Sequence, residues 1–235
     1  MSRRVIGLVQ ARMGSIRLPG KVMLDLAGKP MIEHIFDRLR RVRGVAGIVL
    51  ATTQDSRNDE LDRYARALGI PVWREREEDD IAARLHHAAA LVGADAILKV
   101  NGDCPLIDCG VLAQLVDAYL GGGAIYVSNK QTWTWPKGLS AEVIDAAALR
   151  WCHDNLTATV DREYVADWIK ARPDQFPARA VESGLSLGHL DWMVDTPADM
   201  EWMRQVFAGL YRPGEYFGLQ DVLAYLKRTP VCGAA

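Results

Sequence analysis

The stretch VIGLVQARMGSIRLPGKV, Val5–Val22, decides how the rest of the chain is read. Val5–Gln10 is a short, mainly apolar run, suited to a buried strand and too short for a secretory core or a membrane span. The residues after it set Arg12, Arg17 and Lys21 around Gly14, Ser15 and Gly20. Glycines let backbone N–H groups approach an anion closely, and guanidinium and ammonium groups neutralise phosphate charge. A strand feeding such a loop predicts a triphosphate site at the strand's carboxyl end. It is not a Walker loop, because five residues rather than four separate Gly14 from Gly20 and Val22 stands where Ser or Thr holds magnesium. No G-x-G-x-x-G follows the strand either, which disfavours a dinucleotide fold.

Working outward, short apolar runs alternate with longer amphipathic ones, the pattern of βαβ units around a mostly parallel sheet. Pro30 opens a helix whose Ile32, Ile35, Phe36, Leu39 and Val42 recur at helical spacing. Gly47–Thr52 and Ile70–Arg74 are predicted strands flanking a helix that carries Leu61, Tyr64, Ala65 and Leu68 and is closed by Gly69. A helix over Asp80–Val92, a strand over Ala96–Val100, a helix over Val111–Leu120 and a strand-like Ala124–Ser128 continue the series. The regularity then weakens around Trp133, Trp135 and Pro136, and Gly138–Ile144 and His189–Asp195 are predicted strands among helices. The expected fold class is α/β with a mixed, mostly parallel sheet. It forms a single domain over 1–235, with about 1–128 as a nucleotide-binding half and about 129–235 as an acceptor-binding and dimerisation half.

Composition fits this reading. Of 235 residues, 49% are hydrophobic and 25% charged, ordinary for a globular domain that needs no disulfides. The formal charge of −2 calls for neither nucleic acid nor an anionic membrane as partner. Cys104, Cys109, Cys152 and Cys232 lack zinc-knuckle spacing, and no signal peptide or long apolar run is recognised, so a cytoplasmic protein with reduced thiols is expected. His86 and His87 are adjacent on a helix and do not share one face, so metal binding is not expected of them and they read as exposed or partly buried helix residues. The acidic run Glu75–Asp80, broken by Arg76, reads as a solvated loop and helix start.

Two carboxylates complete the candidate site. Asp103, in Asn101-Gly-Asp-Cys-Pro-Leu-Ile-Asp108, stands just past an apolar strand and before a proline turn. Asp195 ends His189-Leu-Asp-Trp-Met-Val-Asp195 and precedes Thr196-Pro197. Acidic side chains from separate strands can hold Mg²⁺ against a triphosphate.

ARMGSIRLPGK, GKPMIEH, NGDCPLID, DREYV and VDTPADM occur in the order seen in the SpsF-like cytidylyltransferases, a group related to CMP-KDO synthetase, and the resemblance spans about residues 5–207. It implies a GT-A-like, Rossmann-related nucleotidyltransferase fold in a three-layer sandwich, CTP as donor, Mg²⁺ as cofactor, release of pyrophosphate and a homodimer. Carried over by position, Arg12, Ser15, Arg17 and Lys21, with Gly14 in the same loop, hold the triphosphate. Asp103 and Asp195 bind Mg²⁺, Arg74 and Asn101 touch the cytidine, and Glu142, Arg162 and Glu163 face the acceptor. Arg12, Lys21, Asp103 and Asp195 form the catalytic set. The chain departs from the family pattern at Ser140, where an Asp is usual, which leaves the acceptor open. A small acidic sugar of the KDO or sialic type is the first expectation, and a phosphonate or phosphorylated polyol the second. A GT-A glycosyltransferase is the main rival, weakened because the chain has no Asp-x-Asp pair. UTP or dTTP as donor would favour a glycine-richer first loop.

Overall fold

The computed structural model describes residues 3–229, so the Cys232 thiol and both ends of the expected 1–235 domain lie outside the described residues. The strands, in chain order, are β1 (Val5–Gln10), β2 (Asp25–Leu26), β3 (Lys29–Pro30), β4 (Val45–Thr53), β5 (Val72–Glu75), β6 (Ala96–Asn101), β7 (Tyr126–Ser128), β8 (Glu142–Asp145) and β9 (Ala178–Ala180). The α-helices are α1 (Met31–Arg40), α2 (Asp59–Ala67), α3 (Ile81–Leu91), α4 (Cys109–Leu120), α5 (Ala146–Asn155), α6 (Thr159–Glu163), α7 (Val165–Lys170), α8 (Pro197–Leu210) and α9 (Leu219–Arg228).

Seven strands form one sheet in the order β5-β4-β1-β6-β8-β7-β9, with β8 antiparallel to both its neighbours and the other pairings parallel. β2 and β3 pair separately as a small antiparallel ribbon. The mixed, mostly parallel sheet is therefore as expected, and it draws strands from both halves of the chain. Alternation along β1 explains the three layers. Val5 and Val9 join the apolar cluster packed with α1, α4 and α8, whereas Ile6 and Leu8 join the cluster formed with α3, α5 and α7. Gly7 falls on the first face, and a Cβ there would lie 3.3 Å from Leu39, so its small size lets α1 settle close against the sheet.

The carboxyl ends of β1, β4, β5 and β6 gather on one edge, where open α/β sheets bind ligands. Close approach of backbones helps build that edge. A Cβ on Gly102 would stand 2.6 Å from the Ala11 Cβ, so the turns leaving β6 and β1 can touch only with glycine at this position.

The second half corrects two expectations. Only the end of the segment Gly138–Ile144 is strand, as β8, and His189–Asp195 is not a strand. Its alternating apolar residues imitate one, but its backbone groups bond elsewhere. Lys137 N–H donates to Leu190 O, Trp192 N–H to Lys137 O and Val194 N–H to Asp103 O, each at 2.9 Å. The last of these bonds ties the two aspartate loops together. Thr196 then starts α8 with a reciprocal capping box to Asp199, with Pro197 as the first helical residue.

Candidate active site

The loop after β1 is closed by one bond within its own backbone and by a side chain from beyond β4. Gly20 N–H donates to Met13 O at 2.9 Å and Met13 N–H to Asn58 Oδ1 at 2.8 Å. Gly20 has φ +69°, a left-handed value that favours glycine, and it turns the chain into a 3₁₀ turn over Lys21–Met23. The turn aims Lys21 inward, leaving it 8% exposed. Its ammonium donates to Asp195 Oδ1 at 2.8 Å, to Val194 O at 2.8 Å and to Asp103 Oδ2 at 3.2 Å. Three N–H donors thus meet three acceptors, and two carboxylates more than ninety residues apart in sequence converge on one point.

Each carboxylate is held on a second side. The Cys104 thiol donates to Asp103 Oδ1 at 3.2 Å, and Arg17 pairs with Asp195 Oδ2 at 2.7 Å. Burial raises the pKa of Asp195, but its bonds and charge attraction to Lys21 and Arg17 outweigh burial and hold it below the ordinary carboxylate range. An ionised pair of oxygens around a cation is what a hard divalent ion requires, so the donor set fits Mg²⁺.

A cavity of about 510 Å³ opens over this cluster. Of the residues singled out in the sequence, Arg12, Ser15, Arg17, Lys21, Asn101, Asp103, Glu163 and Asp195 line it. Four others lie off its wall. Gly14 packs against the Arg57 guanidinium, 3.3 Å from where its Cβ would be. Arg74 pairs with Asp59 at 2.7 Å and donates to Asp55 O at 2.9 Å, so it clamps the ends of β4 and β5. Arg162 donates twice to Asp80 Oδ2 and also to the carbonyls of His153 and Leu156, which fixes α6 and places Glu163 and Tyr164 at the rim.

Glu142 is the fourth. It is 3% exposed and faces Lys99 at 3.1 Å and Lys130 at 3.6 Å, while Tyr126 donates to it at 2.6 Å. Burial pushes its pKa up, the two lysines and the phenol pull it down further, and it settles at about 2 against an ordinary 4.5. A depressed carboxylate stabilises the fold fully above the ordinary pKa and loses that contribution as pH falls from 4.5 towards 2. Glu142→Gln is expected to cost about 3 kcal/mol at neutral pH, because Lys99 is left buried beside an amide. Denaturant unfolding across pH checks this, with the gap between variant and parent closing in acid. A gap that is constant down to pH 2 contradicts it.

The sequence reading missed Gln10 and Arg84. Both line the cavity, and Gln10 Oε1 and Arg84 Nε are buried without a hydrogen-bond partner. Arg84 is 3% exposed and its guanidinium touches only the carbonyls of Glu77 and Glu78, with no carboxylate partner among the described residues. Burial, and secondarily the charge of Arg12, lowers its pKa, yet a guanidinium stays protonated. In the sequence it stands among alanines of a helix, and only the packing of α3 against β4 and β5 places it under the cavity. The acidic run also reaches the wall, through Glu78, which pairs with Arg12, and Asp79.

Comparison with known proteins fits this geometry. A family model described as Cytidylyltransferase matches residues 6–192. An uncharacterised protein of Methanocaldococcus jannaschii is 31% identical over 173 residues, covering 74% of this chain and 70% of its own. A 3-deoxy-manno-octulosonate cytidylyltransferase of Trichlorobacter lovleyi is 33% identical over 118 residues, or 50% of this chain and 46% of the relative, so the match spans under half of that enzyme. A solved cytidylyltransferase of Leptospira borgpetersenii superposes with a TM-score of 0.89 at 25% identity, over 97% of this chain and 95% of that one. A CMP:2-keto-3-deoxy-manno-octonic acid synthetase solved with CTP shares the fold, with a TM-score of 0.65 at 20% identity over 88% and 99% of the two chains.

Proposed function

The chain belongs to the cytidylyltransferase family, and from that premise we propose that it transfers CMP from CTP to a small acidic sugar, with release of pyrophosphate. The observation that carries the proposal is the convergence of Lys21, Asp103 and Asp195 beneath one cavity.

The acceptor oxygen forms a bond to the α-phosphorus while the bond from that phosphorus to the β-bridging oxygen breaks, and the electron pair leaves with pyrophosphate. Positioning and charge neutralisation carry most of the catalysis. Asp103 and Asp195 would hold Mg²⁺, which would supply Lewis-acid neutralisation of the phosphate oxygens. Lys21 is the cation best placed to follow charge on the triphosphate, since three donors on a four-carbon stem reorient readily. Arg12 and Arg17 lie at the loop's exposed side, where exchanging Glu78 and Asp195 for phosphate oxygens costs little. Asp195 is better suited to hold a cation than to accept a proton, because its pKa is depressed. The proton of an acceptor hydroxyl therefore passes to water rather than to Asp195.

Arg84 supplies the anion specificity. A buried guanidinium without a carboxylate is a standing cost that a phosphate or acceptor carboxylate relieves. Arg84→Met is expected to raise the KM for CTP or for the acceptor by about tenfold or more, and to leave the stability of the free protein equal or higher. Steady-state kinetics varying each substrate, with thermal unfolding alongside, separates these outcomes. A variant that is destabilised with both KM values unchanged assigns Arg84 to the scaffold instead.

The proposal is tested by pyrophosphate release measured with each of four NTPs against KDO-type and sialic-type acids, phosphonates and phosphorylated polyols. Release with CTP and a sugar acid is the expected result. Release confined to UTP or dTTP with sugar phosphates overturns it.

A further inference from the structure

A second cluster of chemically capable side chains lies on the face where α3 packs against α5. His86 and His87 come from α3 and His153 from α5, and one ring nitrogen from each lies within 4.8 Å of the others. Helical spacing alone separates the adjacent pair by about 100° around the axis. What unites them is the third ring, which stacks on His86 at 4.8 Å between centroids and meets His87 edge-on at 4.8 Å. All three are half-buried, and none lines the nucleotide cavity.

A separate contact fixes one ring for ligation. His87 Nδ1 sits 2.8 Å from Glu75 Oε2, and that carboxylate is itself held by Trp73 Nε1–H at 3.0 Å and by Arg76 N–H at 2.9 Å. A hydrogen bond donated by Nδ1–H to Glu75 orients the ring with Nε2 as the ligating nitrogen, the carboxylate–histidine arrangement that accompanies metal-bound imidazoles. We propose that His86, His87 and His153 form a site for one divalent transition-metal ion of the zinc type, distinct from the aspartate pair.

Imidazole nitrogens favour Zn²⁺, Ni²⁺ and Cu²⁺, whereas carboxylates with phosphate favour Mg²⁺, so the two sites sort their ions by ligand chemistry. Tetrahedral zinc sets its nitrogens about 3.3 Å apart, so the rings close inward on binding by small side-chain rotations. Arg162 Nη2 is 3.2 Å from His153 Nδ1 and bonds Asp80 at 2.8 Å. Ligation through His153 Nε2 places a proton on Nδ1 and ends the arginine contact, while Arg162 keeps Asp80 and its two carbonyls. The bound ion thus joins α3 to α5 directly.

The test uses the untagged full chain with Mg²⁺ in large excess to occupy the aspartate pair. Calorimetric titration with Zn²⁺ is expected to give one ion per chain. His87→Gln and His153→Gln should each weaken binding at least tenfold, and Glu75→Gln about tenfold through the orienting bond. Co²⁺ in place of Zn²⁺ should show the visible absorption of tetrahedral coordination and lose it in His153→Gln. Binding of unchanged strength in both histidine variants, or no stoichiometric binding, overturns the site. Zn²⁺ should also raise the melting temperature of the parent chain by several degrees, and failure to do so contradicts the proposal even where a variant misfolds.

Discussion

Asp103→Asn is expected to lower turnover by about a thousandfold while the chain stays folded. A neutral amide offers one oxygen and no charge to a divalent ion, so several kcal/mol of charge stabilisation in the transition state are lost. The fold has little reason to respond. The backbone carbonyl of Asp103 still accepts from Val194 N–H at 2.9 Å, and Lys21 keeps Asp195 and Val194 O as partners. The Asp103 side chain is 24% exposed, which limits the cost of the change. The expected signature is a collapsed kcat with a melting temperature close to the parent's. Near-normal turnover removes Asp103 from the mechanism.

Lys21→Met should strike both stability and catalysis. It leaves the Asp103 and Asp195 carboxylates facing one another without the ammonium that bonds to each at 3.2 and 2.8 Å. Removing one partner from a buried cluster costs about 3–5 kcal/mol, and the partial exposure of both aspartates reduces this to about 2 kcal/mol. Divalent ions should repair it, since an ion that binds only the folded chain stabilises by mass action. The variant is therefore expected to melt lower than the parent in EDTA and to recover much of the difference in Mg²⁺. Turnover should stay at least a hundredfold down, because on the proposed mechanism the ion does not replace the ammonium that follows charge on the triphosphate. Acid adds a further check. The folded pKa of Asp195 is depressed in part by Lys21, so the parent gains stability above the ordinary carboxylate pKa of 3.8 and loses it as pH falls below. The variant should show a smaller acid-dependent loss. A variant equally stable in EDTA and in Mg²⁺ contradicts the idea that Lys21 and a divalent ion share those carboxylates.

Most of the sheet and one side of the site could be read from the residues because the physics there is local. Val5–Gln10 and Ala96–Asn101 are mainly apolar runs feeding loops that carry Gly14 and Gly102, and a cationic or acidic group just beyond such a run falls at the sheet's carboxyl edge. Asp195 reached the expected place by a different route. Its segment alternates like a strand, yet its backbone bonds go to Lys137 and Asp103 rather than to a ladder, and alternation cannot distinguish these. Glu142 entered the candidate site only through the family resemblance. Its partners could not be read from the chain, because only the pairing of β8 with β6 sets it opposite Lys99. Arg84 was hidden because a single arginine in an alanine-rich helix resembles a solvated one until the helix is packed. His153 joins His86 and His87 by packing of two helices more than sixty residues apart in the chain, which no local pattern records.

The central claim is that the loop after β1 and the two aspartates enclose one nucleotide and its ion. A crystal structure of the chain with CTP and Mn²⁺, using anomalous scattering to locate the metal, tests it directly. The account predicts an ion bound by Asp103 and Asp195 and bridging to the triphosphate, with the Lys21 ammonium moved from the carboxylates onto a phosphate oxygen. A triphosphate bound elsewhere, or Lys21 still seated between the aspartates with manganese absent from both, contradicts it.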